Sequence, residues 1–251
     1  MNPIPLQILS HYPAIPPPLQ AQLWESPPHD CAYLPGRMAT MRALLTRRLP
    51  AETYRAFMDA NFRRSGNIIY QPICAGCREC RSLRVLTHAF RMSKSQRRVW
   101  RKNQNVSVTV GKPEPSDEKF QLYLHYLRDW HQRDESGGEE FVDFLYSSPV
   151  DSLEFEYRNP SGQLLAVGVC DVSENSLSSV YFYFDPRERN RSVGTFGAIW
   201  EIVWAAQQNI AYYYLGYFVR GCGSMSYKAS FGPHELLCGD GIWRDPEVPG
   251  T

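Results

Sequence analysis

The chain has 251 residues, of which 43% are hydrophobic, and its formal net charge is +1. This length and composition exclude a fibrous or disordered chain and allow one large core or two modest ones. No segment offers the roughly 20 consecutive apolar residues of a membrane span, and the first residues lack the charged and apolar regions of a signal peptide. We therefore expect a cytoplasmic protein whose cysteines are reduced.

The positive charge is concentrated in the first half of the chain. Residues 1–112 contain 17 Lys and Arg against 5 Asp and Glu, whereas residues 113–251 contain 10 against 21. No acidic residue lies between Glu79 and Glu114, and nine Lys and Arg lie in that interval. Such a basic stretch predicts a surface that binds a polyanion such as nucleic acid.

The N-terminal half predicts few regular elements before its cysteines. Residues 1–30 are rich in proline and are predicted to be extended, with Tyr12, Leu19 and Trp24 as possible docking points. Apolar residues at helical spacing predict a helix near residues 51–63. After the cysteines, Ser82–His88 is predicted to be a strand and Ser93–Lys102 a basic helix.

Three cysteines follow one another at two-residue gaps, as Cys74, Cys77 and Cys80. Together with Cys31 as the nearest candidate for a fourth ligand, they predict a thiolate site that suits Zn²⁺ or an iron–sulfur cluster. The alternative is a turn that carries unligated thiols.

The basic helix is the main candidate for contacts with nucleic acid. Phosphates would be bound without sequence readout, and the absence of compensating acids together with the presence of Trp100 favours an RNA or DNA contact. The alternative is a solvated helix face. The six candidate cations are Arg91, Lys94, Arg97, Arg98, Arg101 and Lys102.

The second half has the pattern of an α+β domain. We predict a strand at Val106–Val110, a helix capped by Ser116, a loop at Arg133–Glu140 and three consecutive antiparallel strands. The strand predictions are Leu153–Arg158, Leu164–Val172 and Leu177–Phe184; they are followed by a helix at Thr195–Gln208, a strand at Ala211–Leu215, a short helix at Ser224–Lys228 and a strand near Leu236. We place a domain boundary between residues 105 and 106.

Several polar residues are candidates for a catalytic site. A strand that leads into a Gly-bearing helix start exposes backbone N–H groups to an acyl carbonyl, so Arg191, Gly194 and Thr195 are candidates for holding an acyl group. Asp185 closes a buried strand and could act as a base. The residues that could bind an acceptor carboxylate are Arg63, Arg64, Arg220, Tyr227 and Lys228.

Four blocks of the sequence resemble the arginyl-tRNA–protein transferase family, and more closely its bacterial aspartate/glutamate leucyltransferase branch. The blocks are Cys31–Thr40, Phe62–Asn103, Tyr181–Ile202 and Tyr212–Leu237. Among their motifs, Phe-Arg-Arg-Ser-Gly followed by the cysteines and Ser-Lys-Ser-Gln-Arg-Arg is highly specific. The eukaryotic enzymes carry adjacent paired cysteines at the cluster, whereas this chain has spaced ones.

The resemblance implies an acyltransferase with an N-acetyltransferase-like α+β fold. Such an enzyme transfers leucine from leucyl-tRNA to the N-terminal Asp or Glu of a protein, which marks that protein for degradation by the N-end rule. Charged tRNA then replaces coenzyme A, and the transfer requires no cofactor. Three alternatives remain: arginine as the transferred group, a metal-stabilised RNA-binding protein without catalysis, and an acetyltransferase that uses coenzyme A.

Overall fold

The computed structural model describes residues 15–133 and 137–246. The helices of this part of the chain are α1 (Pro17–Gln20), α2 (Ala51–Asp59), α3 (Lys94–Lys102), α4 (Asp117–His131), α5 (Gly138–Leu145), α6 (Val193–Gln207) and α7 (Gly223–Ser226). Its strands are β1 (Trp24–Glu25), β2 (His29–Asp30), β3 (Met38–Ala39), β4 (Met41–Leu45), β5 (Arg63–Ser65), β6 (Ile68–Pro72), β7 (Arg81–Leu86), β8 (Ser107–Gly111), β9 (Ser152–Arg158), β10 (Leu164–Ser173), β11 (Ser176–Phe184), β12 (Tyr212–Phe218), β13 (His234–Leu237) and β14 (Trp243–Arg244).

The centre of the fold is an eight-stranded mixed sheet in the order β14-β13-β7-β12-β11-β10-β9-β8. Its strand pairs are antiparallel except for β11 and β12, which are parallel. The predicted succession of three antiparallel strands, a helix and a further strand is confirmed as β9, β10, β11, α6 and β12. The predicted α+β class, a mixed sheet with flanking helices, is therefore confirmed.

A strand from the N-terminal half lies inside this sheet. Strand β7 pairs with β12 on one side and with β13 on the other. The boundary at residue 105 stays a prediction, but the sheet combines strands from both sides of it. The arrangement brings the segment that follows the cysteines next to the last strands of the chain.

The N-terminal half also forms a smaller sheet of its own, in the order β1-β4-β6-β5. Helix α2 buries Tyr54, Phe57 and Met58 in the core beneath this sheet, and Tyr214 of β12 belongs to the same core. The larger core lies under the eight-stranded sheet and includes the buried faces of α4, α5 and α6. Two cores of unequal size thus share the strand β12.

Local capping signals explain where two of the helices begin. The Ser116 side chain accepts a hydrogen bond from the Lys119 N–H and caps α4 as predicted. Ser93 and Gln96 form a capping box that starts α3. The predicted loop at Arg133–Glu140 is wrong at its C-terminal end, because α5 begins at Gly138.

The described part of the Pro-rich segment is not wholly extended, since α1 forms within it. Leu19 packs against the smaller core, whereas the Trp24 side chain is 47% exposed. Tyr12 lies outside the described residues. Among the helices described, none is long and apolar enough to cross a membrane.

Candidate active site between two diverging strands

The parallel strands β11 and β12 form a fork. They pair only over Ser176–Ser178 and Tyr212–Tyr214, although β11 continues to Phe184 and β12 to Phe218. The carbonyl and N–H groups beyond this short ladder are free of the neighbouring parallel strand. A crevice at the carboxyl ends of parallel strands is a common ligand site in α/β proteins.

Two basic side chains lie side by side in this fork. The Arg63 Nη2 group donates to the Ser179 carbonyl at 2.6 Å, at the first residue beyond the ladder. A Cβ atom placed on Gly216 would lie 3.2 Å from the Lys228 Nζ atom and 3.8 Å from the Arg63 Nη2 atom. The two cations therefore converge on a position of β12 that has no side chain.

Neither cation of the fork has a carboxylate partner among the described residues. Lys228 donates to the Tyr217 carbonyl at 3.0 Å and to the Met225 sulfur at 3.6 Å. The Arg63 Nη1 atom is buried and has no hydrogen-bond partner among the described residues. Burial, and then the nearby Arg63 charge, lower the pKa of Lys228 to about 7. Buried cations without counter-charge are costly, and an anionic ligand would offset that cost.

The other buried basic side chains of the described chain show the usual arrangement. Each of them forms an ion pair with at least one carboxylate: Arg64 with Asp171, Arg84 with Glu235, and Lys119 with Glu154 and Glu156. The absence of such a partner at the fork is thus a local property. We infer that the fork is a site for an anion.

Arg64, which we predicted as a second acceptor-binding residue, is instead a structural residue. Its guanidinium donates two hydrogen bonds to Asp171, at 2.7 and 2.8 Å, and its side chain has no exposed surface. The same carboxylate accepts hydrogen bonds from Tyr54 and Ser152, each at 2.8 Å. The ion pair joins β5 to β10 and thereby fixes the strand that carries Arg63.

The other two predicted acceptor residues lie near Lys228 in sequence and are accessible. Arg220 is exposed two residues after β12 ends. Tyr227 precedes Lys228, is 51% exposed and places its ring 6.4 Å from that of Phe231. Their roles stay predictions.

The predicted acyl-binding turn lies at the start of α6. Ser192 has a left-handed backbone, with φ 54°, and no side chain caps the helix. The first N–H groups of a helix lack intrahelical partners and attract negative charge. Arg191 turns away into contacts with Glu188 at 2.7 Å and Asn105 at 3.3 Å. The backbone at Gly194 and Thr195 is therefore a better candidate than the Arg191 side chain.

Helix α3 adjoins this turn and keeps its positive charge exposed. All six predicted cations are exposed, and none forms an ion pair with a described carboxylate. Lys102 donates to the Asn190 carbonyl and Asn103 to the Arg191 carbonyl, which join the end of α3 to the start of α6. Trp100 packs on Phe196 of α6 at 5.5 Å between ring centroids.

Asp185 is poorly placed to act as a base. It is 2% exposed, and its carboxylate accepts hydrogen bonds from the Arg187 N–H at 3.0 Å and the Arg187 guanidinium at 2.8 Å. Burial opposes its ionisation, but the Arg187 hydrogen bonds outweigh it and hold the pKa of Asp185 below its ordinary value. A carboxylate with a lowered pKa is a weak base. The contacts indicate that it caps the turn that follows β11.

Three of the four cysteines predicted to bind a metal, Cys74, Cys77 and Cys80, help to line one cavity of about 200 Å³. Burial, and then the charges of Cys74, Cys31 and Cys77, raise the pKa of the Cys80 thiol to about 12. The four sulfurs are thus close enough to interact. Among the described residues, however, no three His, Cys, Asp or Glu side chains are arranged to hold a metal ion. The donors fit Zn²⁺ or an iron–sulfur cluster in kind, and the metal stays a prediction.

Glu201 is a buried acidic residue that the sequence analysis overlooked. It lies on α6 and accepts hydrogen bonds from Tyr213 of β12, from Tyr157 of β9 at 3.1 Å and from Cys170 of β10 at 3.3 Å. Burial raises its pKa to about 7. A single Glu within the apolar run Gly197–Ala206 was the available signal.

Comparison with known proteins identifies the family. The family model described as the C terminus of arginine-tRNA-protein transferase matches residues 118–238, and the model of the N terminus matches residues 29–98. The chain belongs to the arginine-tRNA-protein transferase family. Together the two matches span most of the chain, including α3, the cysteines and both strands of the fork. As a member of this family, the protein is an acyltransferase enzyme.

Its relatives include proteins named aspartate/glutamate leucyltransferase. One from Thiobacillus denitrificans is 35% identical over 94% of this chain and 100% of its own length. Another from Hahella chejuensis is 34% identical over 86% of this chain and 94% of its own. Among solved structures, FemX has a TM-score of 0.46 and 8% identity, covering 82% of each chain. A GCN5-related N-acetyltransferase from Kribbella flavida has a TM-score of 0.30 and 17% identity, covering 41% of this chain and 67% of its own.

Proposed function

We propose that the protein transfers leucine from leucyl-tRNA to the α-amine of proteins whose N-terminal residue is Asp or Glu. The relatives named aspartate/glutamate leucyltransferase support this reaction. The observation that carries the acceptor specificity is the buried Arg63 guanidinium, which lies beside Lys228 and has no carboxylate partner among the described residues. An acidic side chain that enters the fork would supply the missing negative charge, with Arg63 Nη1 as its first donor.

The reaction is the aminolysis of an activated ester, so the protein's main task is positioning. The α-amine of the acceptor must lie beside the carbonyl carbon of the aminoacyl ester, and water must be excluded. The α6 N-terminus opens at the same end of the sheet as the fork. Its free N–H groups at Gly194 and Thr195 would hold the ester carbonyl and stabilise the developing oxyanion.

Helix α3 would bind the phosphates of the tRNA acceptor stem. Its five exposed cations and the preceding Arg91 have no carboxylate partners in the described chain, and its C-terminal end contacts the turn before α6. Phosphate contacts release counterions, so the affinity for tRNA should fall steeply with salt. Charge reversal at Arg97, Arg98 and Arg101 should weaken binding, whereas an affinity that does not change with salt would contradict this assignment.

The proposed reaction implies the binding partners of the enzyme and its cellular location. The donor is charged tRNA, and the acceptor is a protein whose acidic N-terminus is exposed. The added leucine then marks the acceptor for degradation by the N-end rule. Since charged tRNA is used in translation, we place the enzyme in the cytoplasm.

A transfer assay with matched peptides tests the acceptor specificity. Peptides that begin with Asp, Glu, Asn and Ala are incubated with radiolabelled leucyl-tRNA or arginyl-tRNA. We expect label from leucyl-tRNA on the Asp and Glu peptides alone. Equal transfer to the Asp and Asn peptides would reject carboxylate recognition. Label from arginyl-tRNA would identify arginine as the transferred group. Binding of tRNA without any transfer would indicate an RNA-binding protein.

The variant Arg63→Met connects this specificity to the fork. We expect it to raise the KM of the Asp peptide by about tenfold or more, because a charge-assisted hydrogen bond to the carboxylate is lost. The matched control is Arg48→Met, because Arg48 is exposed and lies outside the fork. An unchanged preference for Asp over Asn in the Arg63 variant would place acceptor recognition elsewhere.

A further inference from the structure

The proposed function leaves open which group removes the proton from the acceptor. An N-terminal α-ammonium has an ordinary pKa of about 7.7–8.0, and only its neutral form can attack an ester. Asp185, the base that the sequence suggested, is engaged by Arg187. Glu201 is 1% exposed and accepts its hydrogen bonds from side chains of the core. A proton acceptor at the fork itself would increase the share of the reactive neutral amine.

We propose that Lys228 is the group that takes this proton. The inference rests on the proposed transfer to an N-terminal amine and adds a catalytic residue to it. Lys228 lies where the acceptor must enter, beside Arg63 and next to the space that Gly216 leaves open. Its amine contacts one carbonyl oxygen and one thioether sulfur, so a third position on the nitrogen remains for a proton or a lone pair.

The surroundings of Lys228 favour the neutral amine. The charged or titratable groups that face it are Arg63 from β5, which opposes its protonation, and Cys222 from the segment before α7, which favours it. Burial is the largest cause of its lowered pKa and the Arg63 charge the next. An acceptor carboxylate on Arg63 would offset the Arg63 charge and favour the protonated amine, but burial, the larger cause, would continue to lower the pKa of Lys228. The amine would then remain a better match to an α-ammonium than an exposed lysine is.

The proton balance of the step is simple. The Lys228 lone pair takes one proton from the α-ammonium, and the neutral amine attacks the ester carbonyl carbon. The new C–N bond forms, the bond from that carbon to the ribose oxygen breaks, and a second proton from the attacking nitrogen ends on the ribose oxygen. Lys228 then gives its proton to water. The products are the peptide bond, free tRNA and one released proton.

The opposite arrangement at Lys119 shows what a structural lysine requires in this fold. Lys119 is 5% exposed and donates to Glu154 and Glu156, and these contacts raise its pKa despite burial. Lys228 is similarly buried but has no such partner in the described chain. Its environment therefore does not hold a permanent positive charge, as expected for a residue that gains and loses a proton.

Two substitutions and two acceptors test the proposal in the full-length enzyme. The wild type must first transfer leucine to an Asp peptide; if it does not, the proposed function fails and Lys228 is not at issue. Lys228→Arg keeps the positive charge but cannot accept a proton, and Lys228→Met removes both. We expect both to lower kcat for the Asp peptide by about 100-fold, the lower range for general acid–base catalysis. Near-wild-type transfer by Lys228→Arg would overturn the proposal in favour of simple charge attraction.

The second acceptor separates proton removal from folding. It is the same peptide with an aminooxy group in place of the α-amine, which is already neutral near pH 7. We expect Lys228→Met to lose less than about tenfold with this acceptor, because no ammonium has to be deprotonated. Equal losses with both acceptors would overturn the proposal. Should the Met variant unfold, Lys228→Gln, which can still donate to the Tyr217 carbonyl, serves for the same comparison.

Discussion

Arg63 and Arg64 offer a direct test of the structural reasoning, because they are adjacent, chemically identical and equally buried, at 6% and 5% exposure. Arg64 forms a two-bond ion pair with Asp171, whereas Arg63 has no carboxylate partner in the described chain. We expect Arg64→Met to leave the Asp171 carboxylate buried without its ion-pair partner and with only Tyr54 and Ser152 as donors. Breaking one side of a buried pair costs about 3–5 kcal/mol, a large share of the 5–15 kcal/mol that stabilises a typical domain.

Removal of Arg63 should weaken acceptor binding and leave the stability of the fold nearly unchanged. Arg63→Met deletes an uncompensated buried cation, so we expect the free energy of unfolding to change by less than about 1 kcal/mol or to rise. The assay is urea unfolding of both variants, followed by acceptor KM in the folded protein. The double variant Arg64→Met/Asp171→Leu should recover part of the stability lost in Arg64→Met, since no charge remains buried. Equal destabilisation by the two single arginine variants would refute the distinction between them.

Three further predictions concern the core, the fork and the cysteines. Burial raises the pKa of Glu201 in the folded state to about 7, so this carboxyl ionises first in the unfolded chain as pH rises. The free energy of unfolding of the wild type should therefore fall by about 3 kcal/mol between pH 4.5 and 7, relative to that of Glu201→Gln. Parallel pH curves in urea unfolding would contradict this. Gly216 has a backbone φ of +90°, and Gly216→Ala should reduce transfer because the new methyl group displaces Lys228. Gly36 has a φ of +72° and lies in open space, so Gly36→Ala should lower stability alone. Equal transfer by both variants would count against the fork. Purified protein should contain zinc or iron by mass spectrometry, and Cys80→Ser but not Cys238→Ser should lose it; metal-free wild type would end the metal prediction.

The sequence predicted those features that depend on local periodicity and on termination signals. Alternation of apolar residues was enough to find the three antiparallel strands, and Ser116 was enough to start α4. The start of α5 was missed because the adjacent Gly137 and Gly138 are typical of a turn, while burial of Phe141 and Leu145 against the main core stabilises a helix there. Tertiary packing thus overrode a weak local preference.

The candidate site was only half predictable, and for a physical reason. In strand β5 successive side chains point to opposite faces, so one of two adjacent arginines must meet the ion pair and the other must meet the fork. The sequence contains no signal that says which, because Asp171 is more than a hundred residues away. The same applies to Asp185 and Trp100, whose roles are decided by Arg187 and Phe196 in the folded chain.

The fork is built from both halves of the chain, although the two halves have opposite charge balance. Arg63 comes from the basic half and Lys228 from the acidic half, and both reach the same gap between β11 and β12. Arg63 is held there by the neighbouring Arg64–Asp171 pair, which ties its strand to β10. The exposed cations of α3 adjoin the other side of that gap through the turn before α6. Separation of the halves would therefore remove one wall of the site, so we expect neither half alone to bind an acidic N-terminus.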